Sequence, residues 1–449
     1  MHYPRSFSSA ITLSIAAIGL FIMLAMPQVA YADGTISVDT VVDEFGTGAD
    51  CSLREAIQAA NTDSDFGGCT RTDTFPYTVD LIAGEFTLTL TGADEDVNAT
   101  GDLDISTALT IAGAGAGDTI IQAGTTPSAA IDRVIHVLSG AVVTMTDVTI
   151  RNGTTPTDGN GGGIANMGGT LTLFNSVVRD NTALGDGPGE GGGGIFNAVN
   201  SSLTLSATNL LNNSAIITLG NGGGILTAPG STLVITGGRI ENNAAARAGG
   251  GIENNGGAAT LTNITLDDNT TGLNGGGLHI SGAGVVSMTG GTASNNTAGK
   301  EGGALWNSGP GQLIVDDVAI EENTASGDDA DQGGGGLFSD GGKLIVRNST
   351  INNNSANGTA GSGGGILIVP GSALTVTNST VAENTAMRAG GGIEVAATLT
   401  STAIARLNDV DLIQNATGSS PGNGGALHIT GPGAVTVSGG NVISNTASA

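Results

Sequence analysis

Few residues in this 449-residue chain are equipped for chemistry, and their spacing narrows what that chemistry is. Histidine occurs at His2, His136, His279 and His428. None has a partner at metal-ligand spacing, and His136 reads as isolated. Acidic pairs occur at Asp267-Asp268 and Asp316-Asp317, but in non-adjacent repeats. Glycoside hydrolysis needs two carboxylates roughly 5 to 9.5 Å apart across one bond, so these pairs do not read as catalytic. Oxygen ligands cluster between Asn323 and Gly333, where Asp328, Asp329 and Asp331 are candidates for Ca²⁺. A solvated acidic loop accounts for them without an ion, and no cofactor is expected. Cys51 and Cys69 are the only cysteines.

The elements that carry these residues are set by composition. Glycine supplies 77 residues, aromatics 3% and charged residues 12%, and thirteen Lys plus Arg face forty Asp plus Glu for a formal net charge of −27. That charge opposes nucleic acid and anionic membrane surfaces as partners. The glycines follow no Gly-X-Y period, and β-branched residues are dense between them, which argues against collagen and disorder alike.

A repeat organises the chain. A Gly-Gly-x-Ile/Leu element ends at Ile164, Ile195, Ile225, Ile252, Leu278, Leu305, Leu337, Ile366, Ile393 and Leu427, ten copies spaced 26 to 34 residues apart. An Asn-Thr-Ala-like turn follows each, with its Asn at Asn181, Asn213, Asn243, Asn269, Asn296, Asn323, Asn354, Asn384, Asn415 and Asn445. Between the two lie alternating runs such as Leu171-Thr172-Leu173 and Leu313-Ile314-Val315, which read as strands. Short strands separated by Gly and Asn turns match one coil of a right-handed parallel β-helix, an all-β fold. The recurrent Asn residues are expected to form an amide ladder from coil to coil. Coils one to five match six to ten at offsets of 141, 142, 141, 141 and 149, so two five-coil blocks, 164–304 and 305–449, are expected within a repeat region of 151–449.

Period-two alternation then predicts an outward column one residue beyond each anchor: Ala165, Phe196, Leu226, Glu253, His279, Trp306, Phe338, Leu367, Glu394 and His428. Trp306, Phe338 and Leu367 on successive coils would form an exposed apolar stripe, with Glu253/His279 and Glu394/His428 beside it as ion pairs on adjacent coils. This column is the expected binding face.

The N-terminus points to the compartment. Arg5, the apolar run from Ala10 to Met26 and Ala30-Tyr31-Ala32 read as a secretory signal over residues 1–32. No later stretch approaches the roughly 18 apolar residues of a membrane helix. In an oxidising compartment Cys51 and Cys69 are expected to form a disulfide rather than a metal or redox site. Within residues 33–150, taken as an N-terminal cap and first coils, Ser52 and Glu55 form a capping box, and Leu53, Ala56, Ile57 and Ala60 share one helical face. A short helix there suits covering the open end of a coil stack.

Here the string CSLREAIQAAN, with Cys69, Gly101-Asp102-Leu103-Asp104-Ile105, Leu109 to Gly115 and Asp132-Arg133-Val134, resembles the CSLREA-domain proteins, which are exported bacterial β-helices. The downstream repeats are similar to those of chlamydial polymorphic outer membrane proteins, and together the similarities span nearly all of residues 35 to 449. The resemblance implies a secreted or surface location and an adhesin-like role, with no active site to carry over. Ending at Ala449 just past the Asn445 turn, the chain reads as a coil stack without a terminal cap.

The expected function is therefore non-enzymatic adhesion or ligand binding, toward a host or neighbouring-cell surface protein or a glycan. The alternative on the same fold is a polysaccharide lyase or glycoside hydrolase. Against it stand one Trp and one Tyr after the leader, few for a sugar-stacking cleft.

Overall fold

The computed structural model describes residues 34–93, 95–155, 159–419 and 421–448. The expected leader, residues 1–32, lies outside them. From Ala32 onward the chain is one compact unit, a right-handed parallel β-helix. Among the described residues no helix is long and apolar enough to cross a membrane.

The coils form three sheets, the third of which begins at Ser214–Ala215. The anchor sheet has 12 strands, running from Leu103–Ile105 through Ile135–Val137 to Leu427–Thr430. In it the anchors stack in register, Ile164 on Ile195 and onward to Ile393 on Leu427, and all but Leu427 are buried. Two anchors precede the ten that the repeat shows, since Leu103 pairs with Ile135 and Ile135 with Ile164. A 24-stranded sheet carries the alternating runs, whose inward residues (Leu171 and Leu173, Leu203 and Leu205, Leu313 and Val315) complete the main core. A 9-stranded sheet of dipeptides, Ser214–Ala215 to Thr446–Ala447, follows the Asn turns.

Left-handed residues turn the chain at several recurring places in each coil, two of which are usually non-glycine. One lies immediately before every ladder Asn: Asp180, Asn212, Asn242, Asp268, Asn295, Glu322, Asn353, Glu383, Gln414 and Ser444 all have φ between 53° and 59°. The other bends the long sheet, at Asn175, Ala207, Asn263, Asp317, Asn348, Asn378 and Asp409 among others. Asn and Asp dominate because their short polar side chains tolerate this region better than other non-glycine residues. The Gly-Gly element meets a double demand. Gly222 takes φ 59°, and a Cβ on Gly223 would lie 2.4 Å from the Gly250 carbonyl oxygen of the next coil.

The Asn ladder forms without a break. Each side-chain amide donates to the Oδ1 of the next Asn, from Asn181 to Asn213 (3.0 Å) through to Asn415 to Asn445 (2.9 Å). Each Asn backbone N–H donates to that same oxygen, as from Asn269 to Asn296 at 3.1 Å. The buried turn thereby satisfies its own polar groups.

At the N-terminal end the helix Leu53–Thr62 begins in the expected capping box, and Leu53, Ala56, Ile57 and Ala60 are buried. Cys51 and Cys69 form a disulfide.

Candidate functional site

The expected binding column points away from the main core, yet it is not exposed. Phe196 and Trp306 are 7% exposed, Phe338 2%, His279 4%, and Leu226, Glu253, Leu367 and Glu394 at most 1%; only His428, in the last coil, is half-buried. The side chains stack along the rod, His279 on Trp306 at 4.2 Å and Trp306 on Phe338 at 5.8 Å between ring centroids. They form apolar clusters separate from the main core: Phe196 with Leu226, and Trp306 with Phe338 and Leu367. The exposed stripe expected from alternation is thus corrected. Alternation fixes which side of a strand a residue takes, but not what the incoming chain lays over that side.

Here the segment leading into each anchor folds back over it. Glu301 accepts a hydrogen bond from Trp306 Nε1 at 3.1 Å, and Arg388 Nη2 lies 3.5 Å from Glu394 Oε1. These segments are joined from coil to coil by bridges Gly191–Asn221–Ala248–Asn274–Glu301 and Gly333–Ser362–Ala389–Asn423. Burial pushes the Glu301 carboxyl up, opposed by the Trp306 bond.

The two expected acid–imidazole contacts do form. Glu253 Oε2 meets His279 Nδ1 at 2.6 Å, and Glu394 Oε2 meets His428 Nδ1 at 2.8 Å. A hydroxyl occupies the other oxygen of each glutamate, from Ser281 and Thr430.

His136 is not isolated. It belongs to the same column two coils upstream of Phe196, where Asp104, His136 and Ala165 stand in register. Its Nδ1 lies 3.0 Å from Asp104 Oδ1 and 3.4 Å from Asp96 Oδ1. This third acid–histidine pair adjoins a cleft of about 270 Å³ lined by Glu95, Asp96, Asp102, Asp132, Arg133 and His136. The repeat reading misses it because Gly101-Asp102-Leu103 and Arg133-Val134-Ile135 replace Gly-Gly-x-Ile/Leu. The available signal is the residue after the anchor: Asp104 and His136 repeat the order of Glu253 and His279.

The cap helix positions the cleft. Arg54 is buried, pairs with Asp43 at 2.7 Å, and donates to the carbonyls of Asp102 (2.9 Å) and Gly101 (2.8 Å). Asn98 Nδ2 donates to the Arg54 carbonyl at 2.8 Å, and the Asn98 N–H to Asp104 Oδ2 at 3.0 Å. Asn61 Nδ2 donates to the Asp104 carbonyl at 2.7 Å. Arg133 Nε lies 3.2 Å from Asp102 Oδ2. Burial raises the Asp102 carboxyl to about 8, with Asp104 and Asp132 adding repulsion that Arg133 and Arg54 only partly offset. Asp104 is raised as well, chiefly by burial, against hydrogen bonds from His136 and the Asn98 backbone. The cleft therefore combines a carboxyl whose burial favours its protonated form, an imidazole and a guanidinium.

The Ca²⁺ candidates do not converge in this way. Asp328, Asp329 and Asp331 are exposed, and Asp328 Oδ1 accepts from the Thr359 N–H (2.8 Å) and hydroxyl (3.0 Å) of the next coil, which hold its carboxyl below the usual range. A different acidic group, Glu241, Asp267 and Asp268, gathers on the long sheet. There Arg239 pairs with Glu241 at 2.7 Å, and the Ser294 hydroxyl donates to Asp267 at 2.7 Å.

Comparison with known proteins supports the architecture. A family model described as a right handed beta helix region matches residues 250–442. The repeats are β-helix coils. No curated protein matches the sequence. Among solved structures, the A-module of a mannuronan C-5 epimerase from Azotobacter vinelandii is similar over 89% of this chain and 96% of that one, at 18% identity and a TM-score of 0.35.

Proposed function

We propose that the chain is an exported or cell-surface protein that binds its ligand without transforming it, and that the cleft beside the cap is where it does so. The carrying observation is the closed outer face of the anchor sheet. A polymer cleaved or modified on this stack would need an open groove along the coils. That side is instead filled by Phe196, Leu226, His279, Trp306, Phe338 and Leu367 beneath the incoming segments. The cleft is concave and held by the cap helix, as a preformed binding site is, and its lining is polar. Carboxylates flanking Arg133 suit a partner rich in hydroxyl or cationic groups, either a glycan or a protein surface of a host or neighbouring cell. The leader-like N-terminus and the resemblance to CSLREA-domain and polymorphic outer membrane proteins support an exterior location.

The test pairs binding with turnover. The protein is screened against polysaccharide and cell-surface panels, alongside a variant carrying Glu95→Gln and Asp96→Asn at the cleft's lip. Binding that falls with these changes, with no product from any polysaccharide, is the expected outcome. The enzyme reading has one point in its favour: Asp102, whose carboxyl burial pushes up to about 8, shares the cleft with His136. Polysaccharide turnover abolished by Asp102→Asn would replace binding with catalysis.

A further inference from the structure

We infer that the cleft holds a first-row divalent metal ion between Asp96, Asp104 and His136. The ligand atoms of these three residues lie within 4.8 Å of one another. From His136 Nδ1 the separations are 3.0 Å to Asp104 and 3.4 Å to Asp96. Two donors bound to one ion at about 2.1 Å stand about 3.0 Å apart at an octahedral angle and about 3.4 Å at a tetrahedral one. Both separations fall in the range of atoms that share an ion; without one, the 3.0 Å contact is a hydrogen bond. One imidazole nitrogen with two carboxylates is a donor set for zinc or manganese rather than for calcium, which takes six to eight oxygens.

The other two acid–histidine pairs supply an internal comparison. In each, a glutamate closes directly on the imidazole and a Ser or Thr hydroxyl takes its second oxygen. At the first pair the acid is shorter by one methylene, and its second oxygen is held by the Asn98 N–H. Asp96 brings a carboxylate that neither duplicate has, and the cleft of about 270 Å³ beside it has room for water or a ligand atom to complete the coordination. Asp104 is fixed by the sheet and the cap helix, while Asp96, with a side chain 69% exposed, is free to close on an arriving ion. The chain's net charge of −27 favours the cation.

The ion deepens the binding reading and rests on the same cleft, since it would be the contact through which ligand oxygens are held. The two are tested apart. Protein stripped with chelator is titrated with Mn²⁺ alone, followed by electron paramagnetic resonance, and then with Zn²⁺ in competition. We expect saturable binding of one ion per chain, weakened at least about tenfold by Asp96→Asn and by His136→Gln, and unchanged by Asp267→Asn in the other acidic group. Asp96 is exposed, so its variant reports on the ion even where a His136 variant fails to fold. Absence of saturable binding at millimolar Mn²⁺ and Zn²⁺, or binding indifferent to both substitutions, overturns the ion and leaves ligand binding standing. Binding of Ca²⁺ as tight as that of Zn²⁺ and undiminished in His136→Gln also overturns it. A metal-loaded protein that captures no partner refutes the binding reading and leaves the ion.

Discussion

Replacing Asn296 by Ala tests whether the amide ladder holds the coils together. Asn296 is fully buried at the middle of the ladder. Its Nδ2 donates to Asn323 Oδ1 and to the Leu266 carbonyl, each at 3.0 Å, while its Oδ1 accepts from the Asn269 N–H at 3.1 Å and from Asn269 Nδ2 at 3.0 Å. The substitution removes all four bonds. At about 1 kcal/mol each, with about 1–3 kcal/mol more for the Asn269 N–H left buried without an acceptor, the loss is on the order of 5–7 kcal/mol. Asn445 supplies the control, because it makes the same number of bonds in a half-buried setting. Water can replace its partners there, so Asn445→Ala should cost only about 1–2 kcal/mol. In a solenoid, stability is a sum over neighbouring coils, so the measurement is opening free energies from hydrogen exchange across residues 269–323, not a single melting point. Equal costs at the two sites, or under about 1 kcal/mol at Asn296, would refute the reasoning that buried amide satisfaction drives the stacking.

Three further outcomes follow from single residues. Cys51→Ser should lower the stability of the cap by about 3 kcal/mol and raise hydrogen exchange over residues 52 to 75 before it rises in the repeats; two reactive thiols in the protein purified without reductant would contradict the bridge. Glu301 has its folded pKa raised by burial, so the folded state keeps the proton longer and stability is lost as pH rises through the raised value. Glu301→Gln should remove that part of the slope when unfolding midpoints are compared between pH 4 and 8, and an unchanged slope would count against it. Ala207 holds φ 47° on an exposed corner where other coils place Asn, Asp or Gly; Ala207→Gly should raise stability by about 1 kcal/mol, and a lower denaturation midpoint would sink the idea.

The coil stack was legible because its physics repeats. An anchor that faces the core must be apolar in every coil, and a buried turn that satisfies itself through its neighbours needs Asn in every coil, so ten copies averaged away local noise. Length variation was legible for the same reason: it collects where the chain leaves the stack, in the segments after the Asn turns. Those segments carry no pattern, and they decide exposure. Trp306 and Phe338 are apolar both on a binding surface and beneath a covering loop, so residue type did not distinguish the two, and loop path did.

The cleft escaped for a different reason. Near the cap, Gly101-Asp102-Leu103 and Arg133-Val134-Ile135 give up the Gly-Gly signature while keeping the register, so the geometry of the repeat continues where its sequence stops. Departure from the repeat is itself informative. Phe196, Leu226, Glu253 and His279 have identical counterparts at Phe338, Leu367, Glu394 and His428, and Phe196 packs with Leu226 as Glu253 meets His279. Asp96, Asp102, Asp104, Asp132, Arg133 and His136 have no such copy, and they place several carboxylates where burial and mutual repulsion raise Asp102 to about 8. A stack that only had to stand would fill this end with the same apolar column and lose nothing. That this coil instead holds a buried acidic group, secured from behind by Arg54 of the cap helix, makes the cap more than a lid: it is the support of the proposed site.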